Sequence, residues 1–200
     1  MAQVTWMRGG HPDIREIRGL FVRRCCPCAP ANLGHVPTPA RNGFASEQKT
    51  IMSSQTPDLT KQPPRSPRVR LGGYATLPRM LDKCRAEIAG KNGEYHYNCP
   101  LDQVLLEFLG VDAEALKKEV ATGKGDGDIL NWIKANAKFK RTDSEIASWT
   151  AWREHSTPDN PDSREYFNDE HKRIAPNRSD FVTWFDYLDI DDHASFGGKV

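Results

Sequence analysis

From residue 77 onward, apolar residues recur every three or four positions, which is the spacing of one face of an α-helix. The first run of this kind has its apolar positions at Leu77, Met80, Leu81, Cys84 and Ile88. Thr76 is placed to cap the start of this helix, and Gly90 is placed to end it in a left-handed conformation. The pattern therefore predicts an amphipathic helix over this stretch.

Similar signals mark the helices that follow. Pro100 suits a first helical position, and Gly110 ends the apolar run after it. Asp112 can cap a third helix. After a turn at Gly125, Asp126 can cap a fourth. Each connection is short, which favours helices that pack against their neighbours.

The second half of the chain carries three more helix starts. Thr142 to Glu145 has the spacing of a capping box, and Asn160 stands before a proline that opens another helix. Asn177 is predicted to cap the last helix. Its apolar stripe is Phe181, Trp184, Phe185 and Leu188. No run alternates like a strand, so the predicted fold is all-α, a compact bundle of about six short helices.

Composition divides the chain into three parts. Residues 1–51 mix Arg, Pro, Gly and Cys without periodicity, and we predict a disordered or spurious extension there, with a transit peptide as the alternative. Residues 52–75 hold prolines and arginines in alternation, which favours an extended arm. Residues 76–200 are predicted to form the helical domain.

Charge and cysteine content exclude some classes of function. The formal net charge is +1, but the basic excess lies within residues 1–51, so the remainder is mildly acidic, which argues against a nucleic-acid partner. No stretch approaches the roughly 18 apolar residues of a membrane helix. The five cysteines form no disulfide framework, which suits a reducing compartment. We therefore expect a cytoplasmic protein whose partner is a protein or a small molecule.

The densest group of metal-ligand side chains lies near the end of the chain. It comprises Asp186, Asp189, Asp191, Asp192 and His193. The pattern places these acids in or just beyond the last turn of the final helix, where the helix dipole disfavours them. Their oxygen and nitrogen donors could hold a divalent ion such as magnesium, manganese or zinc. The alternatives are ion pairs with arginines of the arm, or simple solvation.

A second candidate for chemistry is Cys99, which immediately precedes the helix start at Pro100. A thiol at a helix N-terminus is expected to have a lowered pKa. His96 could act as its base and Asp102 could orient a partner. The alternative is a cysteine that is simply packed, and Cys84, on an apolar helix face, is predicted to be core.

Aromatic and basic residues supply candidate binding positions. They are Trp132, Trp149, Trp152, Tyr95, Arg65, Arg68 and Arg70. The aromatic rings could line a pocket for a flat ligand, or belong to the core. The three arginines of the arm could bind phosphate or an acidic partner, or lie across the acidic surface of the domain itself.

Long stretches of the chain resemble a known family. The segments PPRSPRVRLGGYATLPRMLDKCRAEIAGKNGEYHYNCPLDQ, GKGDGDILNWI and WFDYLDIDDHASFGG are similar to the bacterial family catalogued as domain of unknown function 5069. The resemblance runs from about Leu59 to Lys199 and omits residues 1–51. It implies a small bacterial helical protein without an assigned activity or agreed catalytic residues. It also implies that the arm belongs to the domain.

Three hypotheses of function follow from the sequence. The leading one is a binding or interaction module without a catalytic mechanism of its own. The second is a metal-dependent hydrolase whose ligands lie within residues 186–193. The third is a thiol redox protein that acts through Cys99.

Overall fold

Seven α-helices make up the part of the chain that the computed structural model describes, residues 56–200. They are α1 (Leu77–Ile88), α2 (Pro100–Leu109), α3 (Ala113–Val120), α4 (Asp126–Asn136), α5 (Asp143–Glu154), α6 (Pro161–Ile174) and α7 (Trp184–Ser195). These residues contain no β-strand, so the all-α prediction is confirmed for them. The prediction for residues 1–51 lies outside the described residues.

Helix α1 lies at the centre of the fold. Every residue from Leu77 to Ala86 is buried, including four charged ones. The apolar spacing predicted one buried face, but both faces are covered. The charged side chains remain inside because each has a partner of opposite charge.

Residues 56–75 form the arm, which is held over α1 by arginine contacts. Arg65 binds Asp82 with two hydrogen bonds of 2.8 Å and reaches Asp126 at 2.7 Å. Arg85 approaches Asp126 from α1 at 2.6 Å. Arg70 donates to Glu154 at 2.7 Å. Because bidentate arginine–carboxylate contacts fix orientation, the arm packs as part of the domain.

Most helix boundaries follow their local signals. Gly90 and Gly110 both have φ of +65°, as predicted for left-handed helix ends. At Gly110 a Cβ would lie 2.7 Å from the Cβ of Lys138, so a larger residue would clash. Asp112 accepts a hydrogen bond from the Ala115 amide, and Thr142 forms the predicted capping box with Glu145.

Two predicted caps are wrong, and a third is correct in position only. Thr76 is the N-cap residue of α1, as predicted, but it has φ of +69° and its side chain makes no capping hydrogen bond. Gly125 is the N-cap of α4, and Asp126 lies one residue inside, where its carboxylate binds arginines. The last helix is capped by Thr183 and not by Asn177. The Thr183 and Asp186 side chains satisfy each other's backbone amides, and this reciprocal pair fixes the later start.

Two apolar clusters form the interior. The larger includes residues of α1 to α5, and the smaller joins α6 to α7 and to Phe181, whose ring centroid lies 4.9 Å from that of Phe167. Of the predicted stripe, Phe185 is buried within α7, whereas Phe181 is buried but precedes the helix, which starts later than predicted. Residues of α7 also face α1 across a cavity.

Candidate functional site

A cavity of about 490 Å³ lies between α1, the 93–99 loop, the start of α2, the end of α5 and α7. This volume is within the range of small-molecule sites, roughly 300–1,000 Å³. Its apolar walls include Leu59, Tyr95, Tyr97, Leu101, Phe185, Leu188 and Phe196. The polar groups among these walls decide what the cavity could hold.

One face of α1 supplies the polar floor of the cavity. Thr76 directly precedes the helix, and Arg79 and Lys83 follow at three and seven residues along it. This spacing puts all three side chains on one side of the helix. All three are buried, so two positive charges lie beneath the cavity.

Arg79 is neutralised by α7. Its guanidinium donates to the two carboxylate oxygens of Asp192 at 2.6 and 3.2 Å. The Tyr95 hydroxyl donates to the same carboxylate at 2.8 Å. Burial works to lower the pKa of Arg79, but the hydrogen bonds with Asp192 and the negative charge of that carboxylate, with smaller contributions from Tyr95 and Asp102, raise it overall. Burial, followed by the charge of Asp192, also raises the pKa of Tyr95. The guanidinium therefore stays charged and the phenol stays neutral.

Lys83 is held by Asp102, whose side chain is fully buried. The ammonium nitrogen lies 2.8 Å from each carboxylate oxygen, with hydrogen-bond geometry to Oδ1. Burial works to lower the pKa of Lys83, but Asp102, through its charge and its hydrogen bond, raises the pKa overall together with Cys99. The same ammonium lies 3.2 Å from the sulfur of Cys99. The thiol therefore sits against a fixed positive charge.

Arg153, near the end of α5, differs from the other two cations. The residue is 5 % exposed and lines the cavity. Its Nε and Nη2 groups have no hydrogen-bond partner within residues 56–200. The guanidinium carbon lies 5.3 Å from the centre of the Trp152 ring and 5.9 Å from that of Phe185. Burial lowers the pKa of Arg153, and the neighbouring Cys99 acts in the opposite direction.

Thr76 adds a second unpartnered group. Its hydroxyl is buried and has no hydrogen-bond partner among the described residues. A φ of +69° is strained for a β-branched residue. The backbone enforces it, because the Thr76 amide donates to Pro67 at 2.8 Å and its carbonyl accepts from Met80 at 2.9 Å. The fold thus keeps an unsatisfied hydroxyl at the cavity wall.

The rim of the cavity is acidic at Asp191. Burial raises the pKa of this carboxyl to about 6, and the neighbouring charges of Asp192 and Glu170 act in the same direction. Arg173 lies 3.4 Å away and opposes the effect. His96, the proposed base, also lines the cavity and is half-buried.

The four aspartates that were predicted as metal ligands pair with three different arginines. Arg68 contacts Asp186 and reaches Asp189 at 3.3 Å, while Asp191 and Asp192 pair with Arg173 and Arg79. Asp186 lies in the first turn of α7, where the helix dipole favours it, because this helix starts later than predicted. His193 is exposed beside Gly198.

Residues 56–200 contain no group of three or more His, Cys, Asp or Glu side chains arranged to hold a metal ion. The metal hypothesis remains a prediction.

The aromatic residues that were predicted as binding positions lie in different parts of the structure. Tyr95 lines the cavity. Trp132 and Trp149 pack against the larger apolar cluster, where Trp149 stacks on Phe108 at 4.9 Å. Trp152 is 56 % exposed. Of these rings, the cavity therefore uses only that of Tyr95 as a wall.

The cations of the cavity were not predicted from the sequence. Arg79, Lys83 and Arg153 each lie on a helix among other charged residues, and charged residues are ordinarily exposed. The available signal was the three- and four-residue spacing that places Arg79 and Lys83 on one face. Arg153 had no such signal, because its burial depends on packing with α7.

The structure is therefore that of a small all-α domain in which buried, ion-paired charges surround a cavity of ligand size. The family model described as "Domain of unknown function (DUF5069)" matches residues 61–194. The chain belongs to this family, as the resemblance predicted. A comparison with curated proteins gave no match. No helix within residues 56–200 is long and apolar enough to cross a membrane.

Proposed function

We propose that this domain is a binding protein for a small organic anion, with the cavity beside α1 as its ligand site. The observation that carries the proposal is the buried Arg153 guanidinium, with two donor nitrogens, Nε and Nη2, that lack a partner within residues 56–200. Buried donors are nearly always satisfied, so an exception calls for a missing acceptor. A carboxylate or phosphate group supplies such an acceptor and neutralises the charge.

The surroundings of Arg153 support an anion with an apolar body. Arg79 and Lys83 are already neutralised by Asp192 and Asp102, so Arg153 is the cavity cation available to a ligand. Phe185 and the other apolar walls can bury a hydrocarbon or aromatic portion. The unpartnered Thr76 hydroxyl can hydrogen-bond a further oxygen or nitrogen of the ligand.

We place the protein in the cytoplasm as part of this proposal. Cys84 and Cys99 are free thiols, which persist in a reducing compartment. An intracellular metabolite bearing a carboxylate or a phosphate group is the ligand class that fits.

The test is a thermal-shift and calorimetric screen of the full chain with matched probes. Benzoate, phenylacetate and phenyl phosphate carry the anion, and benzamide is the neutral control. We expect at least one anion to raise Tm and release heat on binding, because a bound ligand stabilises the folded state. Benzamide should do neither.

Two variants make the screen specific to the site. Arg153→Met removes the charge and keeps a long apolar side chain, so it should abolish the response. Arg141→Met is the matched control, since Arg141 also stacks on an aromatic ring, 4.4 Å from the centre of Phe108, but lies outside the cavity. An anion response that survives Arg153→Met unchanged would contradict the proposal.

A further inference from the structure

Cys99 occupies a different setting from the other cysteine in the described chain. It is the N-cap residue of α2, it is partly exposed, and it lines the cavity. Cys84 is fully buried, and burial raises its pKa to about 12. Only one of the two described thiols is therefore open to a molecule in the cavity.

The sulfur of Cys99 lies next to a fixed cation. Lys83 is 3.2 Å from Sγ and is held in place by the fully buried Asp102. The amide groups at the start of α2 also lie beside this residue, so a fixed ammonium and the positive end of a helix dipole both adjoin the sulfur.

Arg153 provides a second, independent indication of a ligand at this thiol. It lines the same cavity, is only 5 % exposed, and carries two donor nitrogens without a partner in the described chain. An anion that satisfies these donors would be held in the cavity that also presents the sulfur. The site thus combines an anchor for a carboxylate with a nucleophile for another part of the same molecule.

We propose that Cys99 is a nucleophile for small carboxylates that carry an electrophilic carbon, and that Arg153 selects them by binding the carboxylate. This inference rests on the proposed anion site. In the reaction, the sulfur lone pair forms a bond to the carbon. The bond from that carbon to its leaving group breaks, and the leaving group departs with the electron pair. The thiol proton passes to the buffer, and Lys83 stays protonated throughout.

The experiment compares two alkylating reagents that differ in charge. Iodoacetate carries a carboxylate, whereas iodoacetamide is its neutral counterpart, and both lose iodide on attack by sulfur. The full chain is treated with each at limiting concentration, and peptide mass spectrometry follows the labelling of Cys99 separately from every other cysteine. The same chain unfolded in urea gives the intrinsic ratio of the two rates at Cys99.

We expect the ratio of the iodoacetate rate to the iodoacetamide rate to be about tenfold or more higher in the folded protein than in urea, since a hydrogen bond to a charged group changes an equilibrium by that order. Arg153→Met should lower the ratio to the value in urea, while Arg141→Met should leave it unchanged. A ratio in the folded wild type equal to that in urea overturns the inference.

A competition in the wild-type protein needs no variant. Unreactive acetate, at concentrations that saturate the site, should slow the labelling of Cys99 by iodoacetate. Labelling that acetate does not slow overturns the inference. Calorimetry with acetate or benzoate tests the proposed anion binding independently of the reaction at Cys99. The two can fail separately, because a protein can bind anions at Arg153 without directing them to the sulfur.

Discussion

Replacing Arg153 with methionine should stabilise the ligand-free protein. Buried arginines ordinarily contribute ion pairs, and their loss destabilises a fold. Here Nε and Nη2 are desolvated without a hydrogen-bond partner in the described chain, so the wild type already bears that cost. Methionine has a similar apolar stem and no polar group to bury. The substitution therefore removes a penalty and keeps most of the packing.

The magnitude follows from two opposing contributions. An unsatisfied buried polar group costs about 1–3 kcal/mol, and more when it is charged. The contacts of the guanidinium with the rings of Trp152 and Phe185, at 5.3 and 5.9 Å, return roughly 0.5–2 kcal/mol. Arg153 leaves two such nitrogens unpartnered, so their cost is about 2–6 kcal/mol, and the midpoints of the two contributions leave a net gain of about 3 kcal/mol in the free energy of unfolding. For a domain of this size that corresponds to a rise in Tm of about 6–12 °C.

Urea unfolding followed by far-ultraviolet circular dichroism measures this difference, because the helices supply the signal independently of the substituted site. Arg141→Met is the matched control. Arg141 donates two hydrogen bonds of 3.0 Å to the Phe108 carbonyl, so its loss should destabilise the protein by about 1–3 kcal/mol. If Arg153→Met destabilises the protein as much as Arg141→Met does, Arg153 is a structural residue and the reasoning fails.

Three further predictions concern the acidic residues of α7. Asp192→Ala should lower the free energy of unfolding by about 3–5 kcal/mol, because it leaves the Arg79 charge buried and unpaired. Asp189→Ala, which breaks a partly exposed pair, should lower it by less than about 1 kcal/mol. Equal losses for the two variants in urea unfolding would contradict this difference. Asp191 has its pKa raised to about 6 from 3.8, so its ionisation opposes folding: the wild type should lose roughly 2–3 kcal/mol relative to Asp191→Asn as pH rises from about 4 to 6, and the gap should stay constant above that. A pH-independent gap would show that the carboxyl is not desolvated. Metal analysis by mass spectrometry, before and after chelation, should find no stoichiometric manganese or zinc, since arginines engage these carboxylates; stoichiometric metal lost in the Asp189→Ala, His193→Ala double variant would instead support the hydrolase hypothesis.

The sequence was sufficient for features that depend on neighbouring residues. Helix periodicity, the glycine ends at Gly90 and Gly110, and the Thr142 capping box are each determined within a few positions, and the structure confirms them. The same holds for the burial of Cys84 on its apolar face. Where two local signals competed, the prediction was wrong: Asn177 offered a cap, but Thr183 and Asp186 form a reciprocal one.

The candidate site depended on contacts between residues far apart in the chain. Arg79 and Asp192 are separated by 113 positions, and Lys83 and Asp102 by 19, so no local pattern could pair them. A charged residue on a helix predicts exposure unless its partner is known. Packing of α7 against α1 therefore decided which charges are buried and paired, and left Arg153 as the buried charge without a protein acceptor in the described chain. The sequence determined the helices of this protein, and tertiary packing decided its cavity, because desolvation is a property of the assembled fold.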